Sequence, residues 1–311
     1  MEKFLTDSKL PETNRAVPIL DKVILFSLFA FVTFSMFSIS ITQIAFAIGA
    51  LSWLLKVHLT QTWKELRGTL VGTAILWFCL ACVLSVVTSV DWEASLKLLK
   101  KSIQFVILFW VANTVQDEKQ RDLLVGLVIV AGVVMALNGL SPYIGWGKNL
   151  TDAGRMLGTT STPATFSGVL MLVGVMALGR LLFHKPKEYW VLGSVGVISL
   201  CLLVSLTRQV WMGSFIGAIF LLLFWNKKYL LIFPLLLIGI LLSAPEKITA
   251  RIHSFTNLQD SSLNARVSLW KGGWSIFKDH PVTGCGFKCV DSIHSQYPDP
   301  SGWIAHYRGM H

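Results

Sequence analysis

The sequence predicts an all-α polytopic membrane helix bundle, and three observations predict it. Apolar residues make up 53% of the 311 residues and charged residues 14%, a balance too apolar for a water-soluble chain of this size. The apolar residues fall into separate runs of helix-spanning length rather than one buried core. The lysines and arginines collect between those runs.

Apolar runs at 23–38, 39–57, 69–90, 97–115, 122–144, 163–183, 189–206, 209–225 and 229–243 predict nine spans. Most are long enough for a hydrocarbon core of about 30 Å; the first, eighth and ninth are short. The chain divides accordingly into an N-terminal segment 1–22, a transmembrane bundle 23–243 and a polar loop 244–311. The N-terminal segment scatters Lys3, Lys9, Arg15 and Lys22 and shows no small-residue cleavage pattern, so a cleaved signal peptide is not expected.

Charge sets the orientation. With the N-terminus inside, the inner segments hold most of the basic residues, among them Lys56, Lys64, Arg67, Lys119, Arg121, Arg180, Lys185, Lys187, Lys227 and Lys228. Short outer segments hold only Lys97, Lys100, Lys101, Lys148, Arg155 and Arg208. The positive-inside rule then places the N-terminus in the cytoplasm and the 244–311 loop on the outer side of the membrane.

Several classes lose support. The net charge of +10 is spread over helix ends, which suits anionic membrane lipids and not nucleic acid. Gly284-Cys285-Gly286 alone is far short of a nucleotide fingerprint, and Gln43, Gln104 and Asn138 are the most polar groups at mid-span, where an ion-coupled transporter usually carries acids or histidines. Asp91-Trp92-Glu93 offers two carboxylates with no further ligand in view, which makes a weak metal site. Cys79, Cys82 and Cys201 lie in apolar runs. Cys285 and Cys289 lie in the loop, where they are either two small hydrophobes, the reading the residues favour, or a pair bridged across a short turn.

The loop carries the most information. Leu263, Val267, Trp270, Trp274 and Phe277 recur at three- and four-residue spacing, with Arg266 on one border of the stripe and Lys271 and Lys278 on the other. That pattern predicts an amphipathic helix lying in the headgroup layer. Pro281 should stop it near Asp279, and Thr283-Gly284-Cys285-Gly286 should then turn.

Arg266, Trp270 and the Pro281-x-x-Gly284-x-Gly286 turn resemble the outer loop of the O-antigen ligase and polymerase superfamily. Ser205-Leu206-Thr207-Arg208 resembles that family's T-x-S-R-like mark with its hydroxyl residues exchanged, and Arg155 in G-R-M-L-G resembles a weaker mark. The family also carries a loop His, to which His311 corresponds best and His306 second; family members continue beyond it into further membrane helices, so the chain is expected to be a piece of a longer protein. The resemblance covers roughly Arg155 to the terminus and implies a GT-C-like fold.

It further implies an inverting, metal-independent transfer of a glycan from an undecaprenyl-diphosphate-linked donor to a hydroxyl on a glycan, a lipid core or a protein. His311, Arg266 and Arg208 would be catalytic, with Arg155, Lys97, Lys101 and Trp270 binding substrate. On the residues alone Arg208 and the Lys97–Lys101 group are snorkelling anchors, and His280, His294, His306 and His311 are solvated loop histidines. The resemblance raises Arg208, Arg266 and His311 above that. Two other classes remain open from sequence: a membrane permease for a small solute, and a non-catalytic partner in polysaccharide assembly.

Overall fold

The computed structural model describes residues 16–63, 70–115, 117–146, 150, 156–185, 187–231 and 261–297. Helices make up the architecture: α1 (Ala16–Phe34), α2 (Ile39–Thr60), α3 (Leu70–Val87), α4 (Trp92–Leu99), α5 (Val106–Thr114), α6 (Glu118–Leu140), α7 (Pro163–Phe183), α8 (Tyr189–Val204), α9 (Arg208–Trp225), α10 (Ser261–Asp279) and α11 (Cys289–Ile293). Among the described residues there is no strand, only an isolated bridge between Leu150 and Met156.

Among the described residues five helices are long and apolar enough to cross a membrane: α1, α2, α6 with its 3-10 extension to Ile144, α7 and α9. Two more, Val71–Val87 and Tyr189–Val204, are apolar and shorter. The expected span at 97–115 is instead three pieces, since α4 ends at Leu99, a 3-10 turn runs Lys100–Phe105 and α5 restarts at Val106. Hydropathy averages over a window and does not see a change of hydrogen-bond pitch. The ninth expected span, 229–243, lies largely outside the described residues, and segments 1–15, 244–260 and 298–311 lie wholly outside them.

The chain forms two compact units. One comprises 18–52 and 114–255, the other 1–17, 53–113 and 256–311. In the first, α7 packs on α6, α8 and α9 around Met135, Phe166, Leu170, Val173 and Ile198. Lipid tails are as apolar as leucine, so close packing rather than a hydrophobic drive holds such helices together, and small residues let them approach. Gly139 on α6 and Gly158 before α7 make that room, because a Cβ on either would land on the fully buried Phe166 ring. Gly158 also has a φ of +55, open to glycine at little cost.

Thr162 caps α7 by accepting from the Thr165 amide at 3.2 Å, and Pro163 fits the first turn, whose amide needs no partner. At the other end Arg180 makes a two-pronged bond to Glu188, at 2.7 and 3.0 Å, and donates to the Asp122 carbonyl at 3.0 Å. This joins α7 to the segment before α8 and to α6. Those bonds hold the Glu188 carboxyl below its ordinary range. A charge counted from sequence only as an inner-face cation is thus engaged in a helix-to-helix tie.

Replacing Gly139 by Val should overpack this core and lower the unfolding free energy by about 1–3 kcal/mol. Thermal unfolding of purified protein in lipid nanodiscs reads it. An unchanged midpoint would mean that α6 and α7 do not meet at Phe166.

Candidate functional site

The loop helix α10 ends at Asp279, two residues before Pro281, as the sequence requires. Ile276 is 6% exposed and packs with Cys285, Cys289 and Ile293 in a small core of its own. Trp270, by contrast, is 72% exposed, and Trp274, Phe277 and Val267 are exposed beside it, with Trp274 stacked on Phe277 at a centroid distance of 5.4 Å. At 3.6 residues per turn these four side chains share the face opposite Ile276. Arg266, Lys271 and Lys278 are exposed on the same helix.

Beyond Asp279 the chain turns sharply. Gly284 and Gly286 have φ of +71 and +96, and Lys288 has +60, all in the left-handed region. Cys285 and Cys289 are joined as a disulfide with Cα atoms 5.7 Å apart, so the structure realises the bridged alternative and not the two separate thiols that the residues favoured. Four residues of separation gave no way to decide this, because turn conformation sets the Cα distance.

The turn rests on the segment between α3 and α4. The Val90 amide donates to the Cys285 carbonyl at 3.1 Å, and the Ser89 hydroxyl donates to the same carbonyl at 3.3 Å. Ser95, fully buried, donates to the Phe287 carbonyl at 2.9 Å, and the Ser89 and Ser95 hydroxyls lie 2.7 Å apart. Ser292 donates to Asp91 at 3.1 Å, while the other Asp91 oxygen caps α4 by accepting from the Ala94 amide at 3.0 Å. The Ala94 amide first and the Ser292 hydroxyl second hold the Asp91 carboxyl below its usual range. Gly286 has to be glycine here, since a Cβ would meet both serine hydroxyls.

Farther on, the Tyr297 hydroxyl donates to the Asp279 carboxylate at 2.6 Å, which ties the chain after α11 back to the end of α10. That bond holds the phenol proton and raises the Tyr297 pKa.

The predicted site residues are therefore distributed as follows. Lys97, Lys101, Arg266 and Trp270 belong to one unit and Arg208 to the other. Lys97 lies on α4, the element that carries the turn, and pairs with Glu93 at 3.7 Å, both side chains about three-quarters exposed. Such a pair contributes little to stability. Lys101 lies exposed on the 3-10 turn that follows α4. Arg155, His306 and His311 lie outside the described residues. Asp91 and Glu93, weighed as a metal pair, are instead a helix cap and a lysine partner, and among the described residues no three His, Cys, Asp or Glu side chains are grouped as a metal would need.

Arg208 is half-buried and opens α9. The turn before it is held by Ser205 donating to the Leu202 carbonyl at 2.7 Å and by the Trp211 indole donating to the same carbonyl at 2.8 Å. Leu206 sits in this turn with φ +53, unusual for a residue with a side chain.

The family model of the O-antigen ligases matches residues 193–310. Over that stretch the chain is similar to the O-antigen ligases, which supports the resemblance read from the sequence. It includes Arg208, Arg266, Trp270, the Gly284–Gly286 turn and His306; Lys97, Lys101 and Arg155 precede it, and His311 follows it by one residue. Among curated proteins and among solved structures none matches the chain. The described helices that are long and apolar enough to cross a membrane, taken with this match, indicate a multi-pass membrane protein.

Sequence reading missed Ser89, Ser95, Ser292 and the Tyr297–Asp279 tie. Only the Asp91 cap carried a local signal, the D-x-x-A start of α4.

Leu206→Gly should leave stability within about 1 kcal/mol of the parent, whereas Leu206→Val should lower it by about 1–2 kcal/mol, because a β-branched residue suits positive φ least. Thermal unfolding of the two variants orders them. The reverse order would mean that the turn before Arg208 is not left-handed.

Proposed function

We propose that the protein transfers a glycan from an undecaprenyl-diphosphate-linked donor to a hydroxyl acceptor, with inversion at the anomeric carbon and without a metal. The observation that carries this reading is the family match, which takes in both Arg208 and Arg266. A donor with a lipid tail in the bilayer and an anionic head at its surface also fits a chain whose apolar helices are joined to a Trp-rich loop helix with basic borders. In this reading α10 lies in the outer headgroup layer with Trp270 toward the lipid part of the donor. The loop 244–311 faces outward from the bacterial inner membrane, and the N-terminus is cytoplasmic.

The chemistry is a single displacement. The acceptor oxygen attacks the anomeric carbon from the side opposite the diphosphate; the bond from that carbon to the diphosphate oxygen breaks, and its electron pair leaves with the diphosphate. Arg208 and Arg266 each supply a guanidinium to the leaving group, whose fork of donors matches phosphate oxygens two at a time and stabilises the charge as it develops. His311 takes the acceptor proton, a role suited to a side chain that titrates near neutral pH. Arg155, Lys97 and Lys101 contribute to holding the anionic head. The acceptor is a glycan, lipid-core or protein hydroxyl.

Lysine keeps the charge of arginine but not its fork. Arg208→Lys and Arg266→Lys should each lower kcat/KM for transfer by about tenfold or more at unchanged expression. Parent-level transfer in both variants would reduce these residues to headgroup anchors.

His311→Ala should retain binding of the lipid-linked donor and lose transfer by about 10²-fold or more, while His306→Ala does much less. Transfer by the parent should fall as pH drops through the ordinary imidazole pKa of about 6.5, because the base is then protonated and cannot accept. Full transfer by His311→Ala across that range would remove the assignment, and loss in His306→Ala alone would move the base upstream.

A further inference from the structure

We propose that Ser95 is a positioning residue for the transfer reaction: with Ser89 it holds the Gly284–Phe287 turn on the start of α4, and so fixes how the chain leaves α10. The proposal rests on the glycan-transfer reading above. Neither serine belongs to the stretch that the family model covers.

Ser95 is fully buried, yet it is polar, and it spends its hydroxyl on a carbonyl 192 residues away. Burying a hydroxyl without a bond is costly, so this contact is demanded wherever the side chain stays buried. Ser89, whose hydroxyl lies 2.7 Å from that of Ser95, completes the arrangement by donating to the Cys285 carbonyl, and the Val90 amide donates to the same carbonyl. Three donors from seven consecutive residues thus hold two carbonyls of the turn. The absence of a Cβ on Gly286 is what lets the backbone come this close.

The turn stands between Arg266 on α10 and the chain that continues through Tyr297 to His306 and His311. Tyr297 is bonded back to Asp279, and Ser292 to Asp91, so both sides of the turn are tied. A displacement of about 1 Å between a charge that binds the leaving group and a base that serves the acceptor can cost about 10²-fold in rate. Among the described residues Ser95 bonds to none of the groups assigned to substrate. Its effect is on their alignment.

The test uses the full-length protein in lipid nanodiscs and two readouts, amide hydrogen exchange over residues 284–291 and transfer from a lipid-linked donor. In Ser95→Ala, exchange in the turn should quicken by about tenfold, and kcat should fall by about tenfold with KM for the donor changed less than about twofold. Ser95→Thr, which keeps the hydroxyl, should restore both. If Ser95→Ala does not fold, Ser89→Ala carries the same test with a smaller effect, about threefold, because the Val90 amide still holds the Cys285 carbonyl.

Exchange that stays slow in the Ala variants would overturn the docking. Fast exchange with unchanged kcat would overturn the positioning role and leave a structural contact. Equal losses in the Ala and Thr variants would assign the effect to packing and overturn the hydrogen bond as its cause. A parent protein that transfers no glycan at all would refute the transfer reading and with it any catalytic meaning of the turn, while exchange would still decide whether the turn is docked.

Discussion

Inside a bilayer a peptide N–H or C=O has no water to bond, and each one left unsatisfied costs several kcal/mol. That constraint makes α1, α2, α6, α7 and α9 continuous helices, and it explains why irregular backbone gathers at their ends. Every feature of chemical interest follows from it. The turn before Arg208, the 88–95 connection and the 280–288 turn are all places where the chain has left helical pairing and must find other partners. They find serine and threonine hydroxyls, a tryptophan indole and each other's carbonyls. The polar residues near the ends of apolar helices are therefore not idle, and an account of them as headgroup anchors leaves out the bonds they make.

The same logic separates what could be read in the sequence from what could not. Helices α1, α6 and α7 were legible because hydropathy over about 20 residues is a local sum. The end of α10 at Asp279 was legible because proline at 281 acts on its immediate predecessors. The helical spacing of Trp270, Trp274 and Phe277 was legible from period alone, whereas the small core at Ile276 was not read from the sequence. The interruption of 97–115 was not, although Lys100, Lys101, Ser102 and Gln104 break the apolar run there, because a span-length window averages them with the apolar residues that follow. Nor was the Ser95 contact, whose partner is 192 residues away. No local pattern encodes a pairing that only the assembled chain creates. The Cys285–Cys289 bridge lies between these cases: the spacing permitted it, and the turn decided it.

For the candidate site the consequence is a split between identity and placement. Arg208, Arg266, Trp270 and the two glycines were singled out by residue type and order, and all of them lie within the stretch that the family model matches. What places two of these elements came from residues with no signature. Asp91 was weighed for metal chemistry because of its charge, yet the structure uses it as a cap and a serine acceptor. Lys97 was singled out for phosphate, and the element that carries it turns out to support the loop turn. A charge draws attention in a sequence; a hydroxyl in the next turn of the same helix does not, although it makes the longer-range contact.

Both family turns share one physical property. Each contains a residue with a side chain in left-handed geometry, Leu206 in one and Lys288 in the other, where glycine would be free of cost. Each such residue costs about 1–2 kcal/mol, so the surroundings must over-determine the conformation for it to persist. Around Leu206 they do so through Ser205 and Trp211 on the Leu202 carbonyl and Thr207 on the Ser205 carbonyl. Around Lys288 they do so through the disulfide, the Ser95 bond to Phe287 and the Asp291 amide on the Lys288 carbonyl. Strain held by several bonds gives a turn one geometry rather than several, and a guanidinium or an imidazole can align with a reacting group only if the backbone beneath it has one geometry. The inference runs from the observed outlier to the role, and both turns lie within the stretch that the family model matches.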